Sequence, residues 1–153
     1  MPYPCDILVL YRTGAEGWAR EKVEATIVEL KELITGLWNA MGRRRWHEIA
    51  DYFCSDAAIF WHNTNERFTV PEFVEVNSSY PGRWTIQVER LEEIGDLVVS
   101  VVDVASVEGG QSCHGVSFFE LEGGRIRTLH EYWGDDGRPP RWRIDRKIGA
   151  DIS

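Results

Sequence analysis

Three glycine-containing turns divide the second half of the chain into segments of nearly equal length. The turns are Gly95-Asp96, Gly109-Gly110 and Gly123-Gly124. Glycine readily adopts the positive φ angles of tight hairpins, and evenly spaced turns of this kind are typical of antiparallel strands joined in sequence. The pattern therefore predicts a four-stranded antiparallel meander with strands near residues 83–94, 97–107, 111–122 and 125–133.

The first half of the chain carries a helical pattern instead. Apolar residues recur at intervals of three and four up to Met41, which predicts one long amphipathic helix over about 15–41. The sequence Thr13-Gly14-Ala15-Glu16 has the form of a capping box at its start, and Gly42 ends it. The residues expected to pack against the meander are Ile27, Leu30 and Ile34.

Two shorter helices and one strand are predicted between the long helix and the meander. The second helix carries Trp46 and Ile49 on one side, and a strand follows over Ala57–Trp61. A second capping box, Thr69-Val70-Pro71-Glu72, begins the third helix, which stops before Pro81. Helices followed by strands predict an α+β fold, with a long N-terminal helix and two shorter helices packed on a curved, mostly antiparallel sheet.

Length and charge narrow the possibilities further. A chain of 153 residues is large enough for one domain with a core of its own. We expect an N-terminal arm at 1–14, a domain at 15–134 and a C-terminal tail at 135–153. The formal net charge of −8 argues against nucleic acid as a partner, because phosphate contacts require clustered lysine and arginine.

The cysteines and the apolar segments indicate a cytoplasmic protein. Cys5, Cys54 and Cys113 are odd in number and show no CxxC spacing, so reduced thiols are expected. The apolar run Ile7–Leu10 is too short for a signal peptide core, and no run is long enough to span a membrane.

A polar cluster follows the first predicted strand. His62, Asn63 and Glu66 stand between the aromatic residues Phe60 and Phe68, at the point where the strand should end. A strand that delivers such groups to its end is a common way to build a pocket wall. The alternative is that Asn63 is an ordinary turn residue and that His62 is a hydrogen-bonded, partly buried histidine.

Strand alternation suggests how a site could be assembled. If His62, His114 and His130 all lie on the concave face, three imidazoles and the phenol of Tyr132 converge in an apolar cavity. Histidine titrates near neutrality and can abstract and return a proton. We predict His62 and His114 as catalytic residues. The predicted substrate-binding residues are Phe60, Asn63, Glu66, Trp84, Phe118, His130 and Tyr132.

No metal ion or other cofactor is expected. The sequence contains no HxH or HExxH spacing, and Cys113 and His114 should point to opposite faces of their strand. No glycine-rich phosphate loop begins a helix. Asp103, which alternates with valines, is either an inward acid with a raised pKa or half of an ion pair with Arg90 or Arg127; the ion pair is the favoured interpretation.

The order of helices and strands resembles that of the NTF2-like superfamily, in its SnoaL-like and ketosteroid-isomerase-like branch. The resemblance spans residues 20 to 134. The motifs that carry it are Trp38-Asn39-Ala40, Asp56-Ala57-Ala58-Ile59-Phe60-Trp61-His62-Asn63, Gly123-Gly124-Arg125-Ile126 and His130-Glu131-Tyr132-Trp133. The fold it implies is a cone with a cavity between the helices and the sheet.

The resemblance also implies positions for site residues. The general base of ketosteroid isomerases falls at or next to His62, and their oxyanion-hole acid falls in the strand that contains His114 and Val116. Their oxyanion-hole tyrosine falls on Ile34, which cannot donate a hydrogen bond, and this argues against steroid isomerisation. A pair of histidines is more similar to the scytalone-dehydratase-like members.

Two functions follow as expectations. The first is cofactor-free proton-transfer chemistry (isomerisation, dehydration or cyclisation) on a small, apolar organic molecule in the cavity. The second is a non-catalytic ligand-binding or accessory module. The segment Leu97–Val102 is apolar on both faces, and the helices can cover only one, so we also expect a homodimer through the sheet.

Overall fold

The computed structural model of the protein describes residues 30–152, which form an α+β fold. Its helices are α1 (Leu30–Gly42), α2 (Trp46–Ile49), α3 (Val70–Ser78) and α4 (Arg141–Asp145), with a 3₁₀ turn at Ala50–Tyr52. Its strands are β1 (Phe53–Trp61), β2 (Glu66–Phe68), β3 (Trp84–Ile94), β4 (Leu97–Ser106), β5 (Ser112–Glu122) and β6 (Arg125–Asp135).

The six strands form one mixed sheet in the order β2-β1-β6-β5-β4-β3. Strands β3 to β6 are the predicted antiparallel meander, and their bounds differ from the predicted ones by at most two residues. β1 joins the meander by pairing parallel with β6, and β2 pairs antiparallel with β1. Gly95, Gly109 and Gly123 all have positive φ angles, as expected for glycine residues in tight hairpin turns.

The apolar stripe of α1 forms much of the core. Ile34 and Leu37 are fully buried, and the helix contacts β3 and β4. Leu30 is only half-buried, so it contributes less to the core than expected. The remaining predictions for the long helix, including Ile27 and the capping box at Thr13, lie outside the described residues.

The predicted capping box of α3 is confirmed. The Thr69 hydroxyl accepts a hydrogen bond from the Glu72 backbone N–H at 3.4 Å, and the Glu72 carboxylate accepts one from the Thr69 backbone N–H at 2.8 Å. Both bonds satisfy N–H groups that a helix start leaves without partners. The box fixes where the chain turns from β2 into α3.

Alternation along the strands gives the sheet an inner and an outer face. On β4, Val98, Ser100 and Val102 are fully buried beneath the helices on the inner face. Val99 and Val101 point the other way and are half-buried. No other element of the described chain covers this outer apolar surface.

Two expectations about single residues are wrong. Asp103 forms no ion pair with Arg90, which bonds to Glu92, or with Arg127, which bonds to Asp56 and Glu122; it lies on the outer face opposite His114. Cys54 is disulfide-bonded and is therefore not a reduced thiol, whereas Cys113 is free. Cys5 lies outside the described residues, and a cytoplasmic location stays a prediction.

The segment after β6 is exposed along its length and contains only the short helix α4. Across residues 30–152, none of the helices has the length and apolar character that a membrane crossing requires. The division into arm, domain and tail stays a prediction, although β6 ends at Asp135, within a residue of the predicted start of the tail.

Replacing Ile34 with alanine should lower the free energy of unfolding by about 2–5 kcal/mol, because the side chain is fully buried and its removal leaves a cavity. Chemical denaturation measures the loss. The matched control is Ile94→Ala, at a position that is 66% exposed, where the change should stay within about 0.5 kcal/mol. Equal losses at the two positions would contradict the packing of α1 on the sheet.

Candidate active site

A cavity of about 650 Å³ lies between the helices and the inner face of the sheet. Its walls contain five tryptophans, which are Trp38, Trp46, Trp61, Trp84 and Trp133. Polar side chains of Arg44, Asn63, Asn77 and Gln111 also line it. A space of this size with flat apolar walls and a few polar groups is typical of small-molecule sites.

One carboxyl group lies among these tryptophans. Glu131 on β6 lines the cavity, although its side chain is only 1% exposed. Trp61 Nε1 donates a hydrogen bond to its Oε2 at 2.5 Å, and Ser117 Oγ donates one to its Oε1 at 3.2 Å. Both donors stand directly opposite Glu131, Trp61 on the parallel neighbour β1 and Ser117 on the antiparallel neighbour β5.

Burial raises the pKa of Glu131 from 4.5 to about 7, because an ionised carboxylate loses the solvation that water would give it. The hydrogen bonds from Trp61 and Ser117, together with the nearby Trp133, favour the ionised form and oppose the rise. The carboxyl group therefore exchanges its proton near neutral pH. A group with this property can both take and return a proton during a reaction.

Trp133 places a third donor near the Glu131 carboxyl group. Its Nε1 is buried and forms no hydrogen bond of good geometry to any described residue. The ring lies against the backbone of Gly115, where an added Cβ would come within 2.6 Å of it. Only glycine at that position lets the indole occupy this place in the cavity wall. The indole N–H favours the ionised form of Glu131, as the bonds from Trp61 and Ser117 do.

The structure brings two of the predicted binding residues to the cavity. Trp84 forms part of an aromatic wall, and its indole N–H donates to the backbone oxygen of Pro81 at 2.8 Å. Asn63, at the turn after β1, also lines the cavity. Glu66 lies on the edge strand β2, is exposed, and is not a lining residue.

The other aromatic and histidine candidates lie on the outer face of the sheet. His62 contacts His130 at 2.8 Å between ring nitrogens and stacks on Tyr132 at 4.4 Å between ring centroids. Phe60 stacks on His130 at 4.6 Å, and Phe118 meets Tyr132 edge-on. These residues meet one another on the side away from the cavity, which corrects their expected placement.

The reason is the two-residue repeat of a β-strand. Trp61 faces inward, so its neighbours Phe60 and His62 face outward. On β6 the same alternation turns Glu131 and Trp133 inward. Strand alternation correctly groups His62 with His130 and Tyr132, but this group faces away from the cavity and does not include His114.

His114 also lies outside the cavity lining. Its Nδ1 is 2.5 Å from Asp136 Oδ1, and this hydrogen bond is the main cause that raises the pKa of the imidazole. The catalytic roles of His62 and His114 stay predictions. Glu131, Ser117 and Trp133 were not among the sequence-based candidates, and only the correct choice of face for β6 could have revealed them.

Replacing Glu131 with glutamine should reduce the pH dependence of stability between about pH 4.5 and pH 7. The folded wild type keeps its proton up to about pH 7, whereas the unfolded chain releases it near 4.5, so wild-type stability falls as pH rises through this window. The variant lacks this loss. The free energy of unfolding of the variant relative to wild type should thus rise by on the order of 3 kcal/mol across the window.

Chemical denaturation at a series of pH values measures this difference. Glu93→Gln, at an exposed strand position outside the cavity lining, is the matched control and should show a constant difference from wild type. A constant difference for Glu131→Gln as well would show that the Glu131 pKa is not raised.

No family model matches this chain, and no curated protein matches its sequence. Solved structures do match. A protein from Kribbella flavida DSM 17836, provisionally described as a ketosteroid isomerase, has a TM-score of 0.69 and 23% identity, with 81% of this chain and 90% of that chain covered. An NTF-2 like protein of unknown function from Burkholderia xenovorans LB400 has a TM-score of 0.68 and 21% identity, covering 81% and 95%.

A protein from Shewanella putrefaciens CN-32, provisionally described as a SnoaL-like polyketide cyclase, is a third match, with a TM-score of 0.59 and 13% identity over 69% of this chain and 89% of that chain. Identities this low leave the reaction open and establish the architecture. The predicted resemblance is thus confirmed for the fold: this chain has the NTF2-like fold of ketosteroid isomerase-like and SnoaL-like proteins.

Proposed function

We propose that the protein is an enzyme that moves a proton within a small, apolar organic molecule bound in the cavity. The observation that carries the proposal is Glu131, a fully buried carboxyl group that lines the cavity and has a pKa raised to about 7. A carboxyl group of this kind in a cleft is a typical acid–base catalyst, because both of its protonation states are populated at neutral pH.

The surroundings of Glu131 support this role. Trp61 and Ser117 each donate to a different carboxylate oxygen, so the group is held in one orientation. A fixed orientation lowers the entropy cost of bringing the base to the reacting atom. Each carboxylate oxygen has a second lone pair, which the two bonds leave free to receive a proton from a substrate.

The cavity walls indicate the kind of substrate. Five tryptophans supply flat apolar surfaces, which suit a planar or polycyclic molecule. On such a molecule Glu131 would remove a proton and return it at another position. Isomerisation, dehydration and cyclisation all contain such a step, and these side chains perform it without a cofactor.

The second candidate function is a ligand-binding or accessory module without catalysis. Its support is that the predicted catalytic residues His62 and His114 lie outside the cavity lining. Among the described lining residues, only Glu131 and Cys113 have a raised pKa. The two functions differ in one observable. Only an enzyme accelerates the exchange of a carbon-bound proton of its ligand with the solvent.

Hydrogen exchange in D₂O tests the proposal without knowledge of the complete reaction. Planar apolar carbonyl compounds that raise the melting temperature of the protein are selected first, because a ligand stabilises the state it binds. Mass spectrometry should then show that the wild-type protein speeds deuterium incorporation next to the carbonyl group. Glu131→Gln should reduce that rate by about 10²–10⁴-fold, because glutamine cannot accept the proton.

Glu93→Gln is the control and should exchange at the wild-type rate, since its position is exposed and outside the cavity lining. Ligands that bind equally well to wild type and Glu131→Gln, with no exchange by either, would contradict the enzyme and favour the binding module. An exchange rate that falls with His62→Ala and not with Glu131→Gln would restore the original assignment of the base.

We also propose that the protein pairs as a homodimer through the outer face of its sheet. Val99 and Val101 are half-buried there, while Phe118 is 36% and Tyr132 is 46% exposed. No described element covers this aromatic and aliphatic surface. A second copy would bury it by the same surface, which is the usual arrangement of twofold dimers.

Tyr132→Ser should shift the protein from dimer toward monomer in sedimentation experiments at micromolar concentration, because the exposed ring would lie in the interface. Trp142→Ser is the control: Trp142 is 59% exposed on the short helix α4, outside the strands of the sheet, and its replacement should leave the dimer intact. A wild-type protein that sediments as a monomer would refute the dimer.

A further inference from the structure

Three residues that are distant in the sequence meet at one end of the outer face. Asp103 on β4 stands opposite His114 on β5, and Asp136 follows β6. Each side chain offers one possible metal-ligand atom, a carboxylate oxygen or a ring nitrogen, and the three atoms lie within 4.8 Å of one another. Glu89, at the bulge in β3, places its Oε2 3.6 Å from His114 Nε2.

The cluster contains a buried acceptor without a partner. Asp103 Oδ1 is inaccessible to solvent and forms no hydrogen bond to any described residue. A buried carboxylate oxygen without a donor is costly, because it loses its hydrogen bonds to water and gains nothing in return. No described side chain donates a hydrogen bond to this oxygen atom.

Arginine and lysine do not supply a compensating positive charge. The two arginines of the neighbouring strands, Arg90 and Arg127, form ion pairs with other carboxylates. Among the described residues, Asp103, Glu89 and Asp136 have no ion pair with lysine or arginine, so three carboxyl groups surround a single imidazole. The local excess of negative charge favours a bound cation.

We propose that Asp103, His114 and Asp136 bind a divalent transition-metal ion, with Zn²⁺ as the best fit. Zinc takes imidazole nitrogen and carboxylate oxygen at about 2.0–2.2 Å, and its tetrahedral site leaves a fourth position for water. Glu89 stands at the other ring nitrogen of His114, where it can orient the imidazole. The imidazole ligand argues against Mg²⁺ and Ca²⁺ as the bound ion, since these hard cations prefer oxygen donors.

The present distances are compatible with closure around an ion. Tetrahedral ligand atoms at zinc bond lengths lie on the order of 3.4 Å apart. The contact of 2.5 Å between His114 Nδ1 and Asp136 Oδ1 must therefore lengthen, while the three ligand atoms already lie within 4.8 Å of one another. Rotation of exposed side chains achieves this, because His114 and Asp136 are accessible to solvent.

The test measures zinc binding to the full chain. The protein is first treated with a chelator, and the chelator is then removed. Isothermal titration with ZnCl₂ should show one ion per chain and a raised melting temperature, whereas MgCl₂ should show neither. Asp103→Asn, which preserves shape, should weaken zinc binding by at least about 100-fold, since even residues that only orient ligands contribute 10–100-fold. His114→Gln should have the same effect.

His47→Gln is the matched control, because His47 is a surface histidine with an 82% exposed side chain outside the cluster. It should bind zinc as the wild type does. X-ray absorption of the zinc complex provides a measurement that needs no variant and should show nitrogen and oxygen ligands with one imidazole.

Three results would overturn the proposal. The first is no zinc binding by the wild type. The second is unchanged affinity in a folded Asp103→Asn variant. The third is a spectrum with sulfur or two imidazoles, which would move the ion to a cysteine or to the His62–His130 pair, whose ring nitrogens are 2.8 Å apart.

Discussion

The pairing of β6 with β1 on one side and β5 on the other is the constraint on which the candidate site depends. Trp61 and Ser117 each stand directly opposite Glu131 in their ladders, so two donors from different strands reach the same carboxyl group. A slip of one residue in β6 would replace Glu131 by His130 or Tyr132 on the inner face. The hydrogen-bond register of the backbone therefore decides the chemistry of the cavity.

The energetic cost of this arrangement argues that it serves a purpose. A buried carboxyl group that must ionise lowers stability, and an apolar residue of similar volume at such a position is often neutral or stabilising. Only three polar side chains in the described core are buried, namely Ser100, Ser117 and Glu131, and all three form hydrogen bonds. A polar group that a core tolerates at a cost, next to a cavity, is typical of a functional site.

Much of the fold could be predicted from the sequence because its signals are local. Glycine turns set the strand bounds of the meander, and the Thr69–Glu72 capping box set the start of α3. The parallel pairing of β1 with β6 could not be found in this way, because it joins residues about 70 positions apart and no turn links them. Local patterns determine elements, and tertiary packing determines their neighbours.

The site was harder to predict because it depends on which face of each strand turns inward. His62 was favoured because polar residues follow it, yet Trp61 is the residue whose larger apolar surface gains more from burial. The rule that the bulkier apolar side chain enters the core would have turned β1 the right way. On β6 the same rule is ambiguous, since His130 and Tyr132 compete with Glu131 and Trp133, and only the pairing with β1 resolves it.

Asp136 connects the cavity with the proposed metal cluster. It lines the cavity, and it also bonds to Ser112 and His114 at the end of the outer face. Its backbone N–H donates a hydrogen bond to the backbone carbonyl oxygen of Ser112 at 3.0 Å, which holds Asp136 in place just beyond β6. A cation at the proposed cluster would restrain the Asp136 side chain at the cavity without touching Glu131. Metal binding should consequently affect how a ligand enters or is held, while the proposed proton transfer by Glu131 depends on its contacts with Trp61 and Ser117.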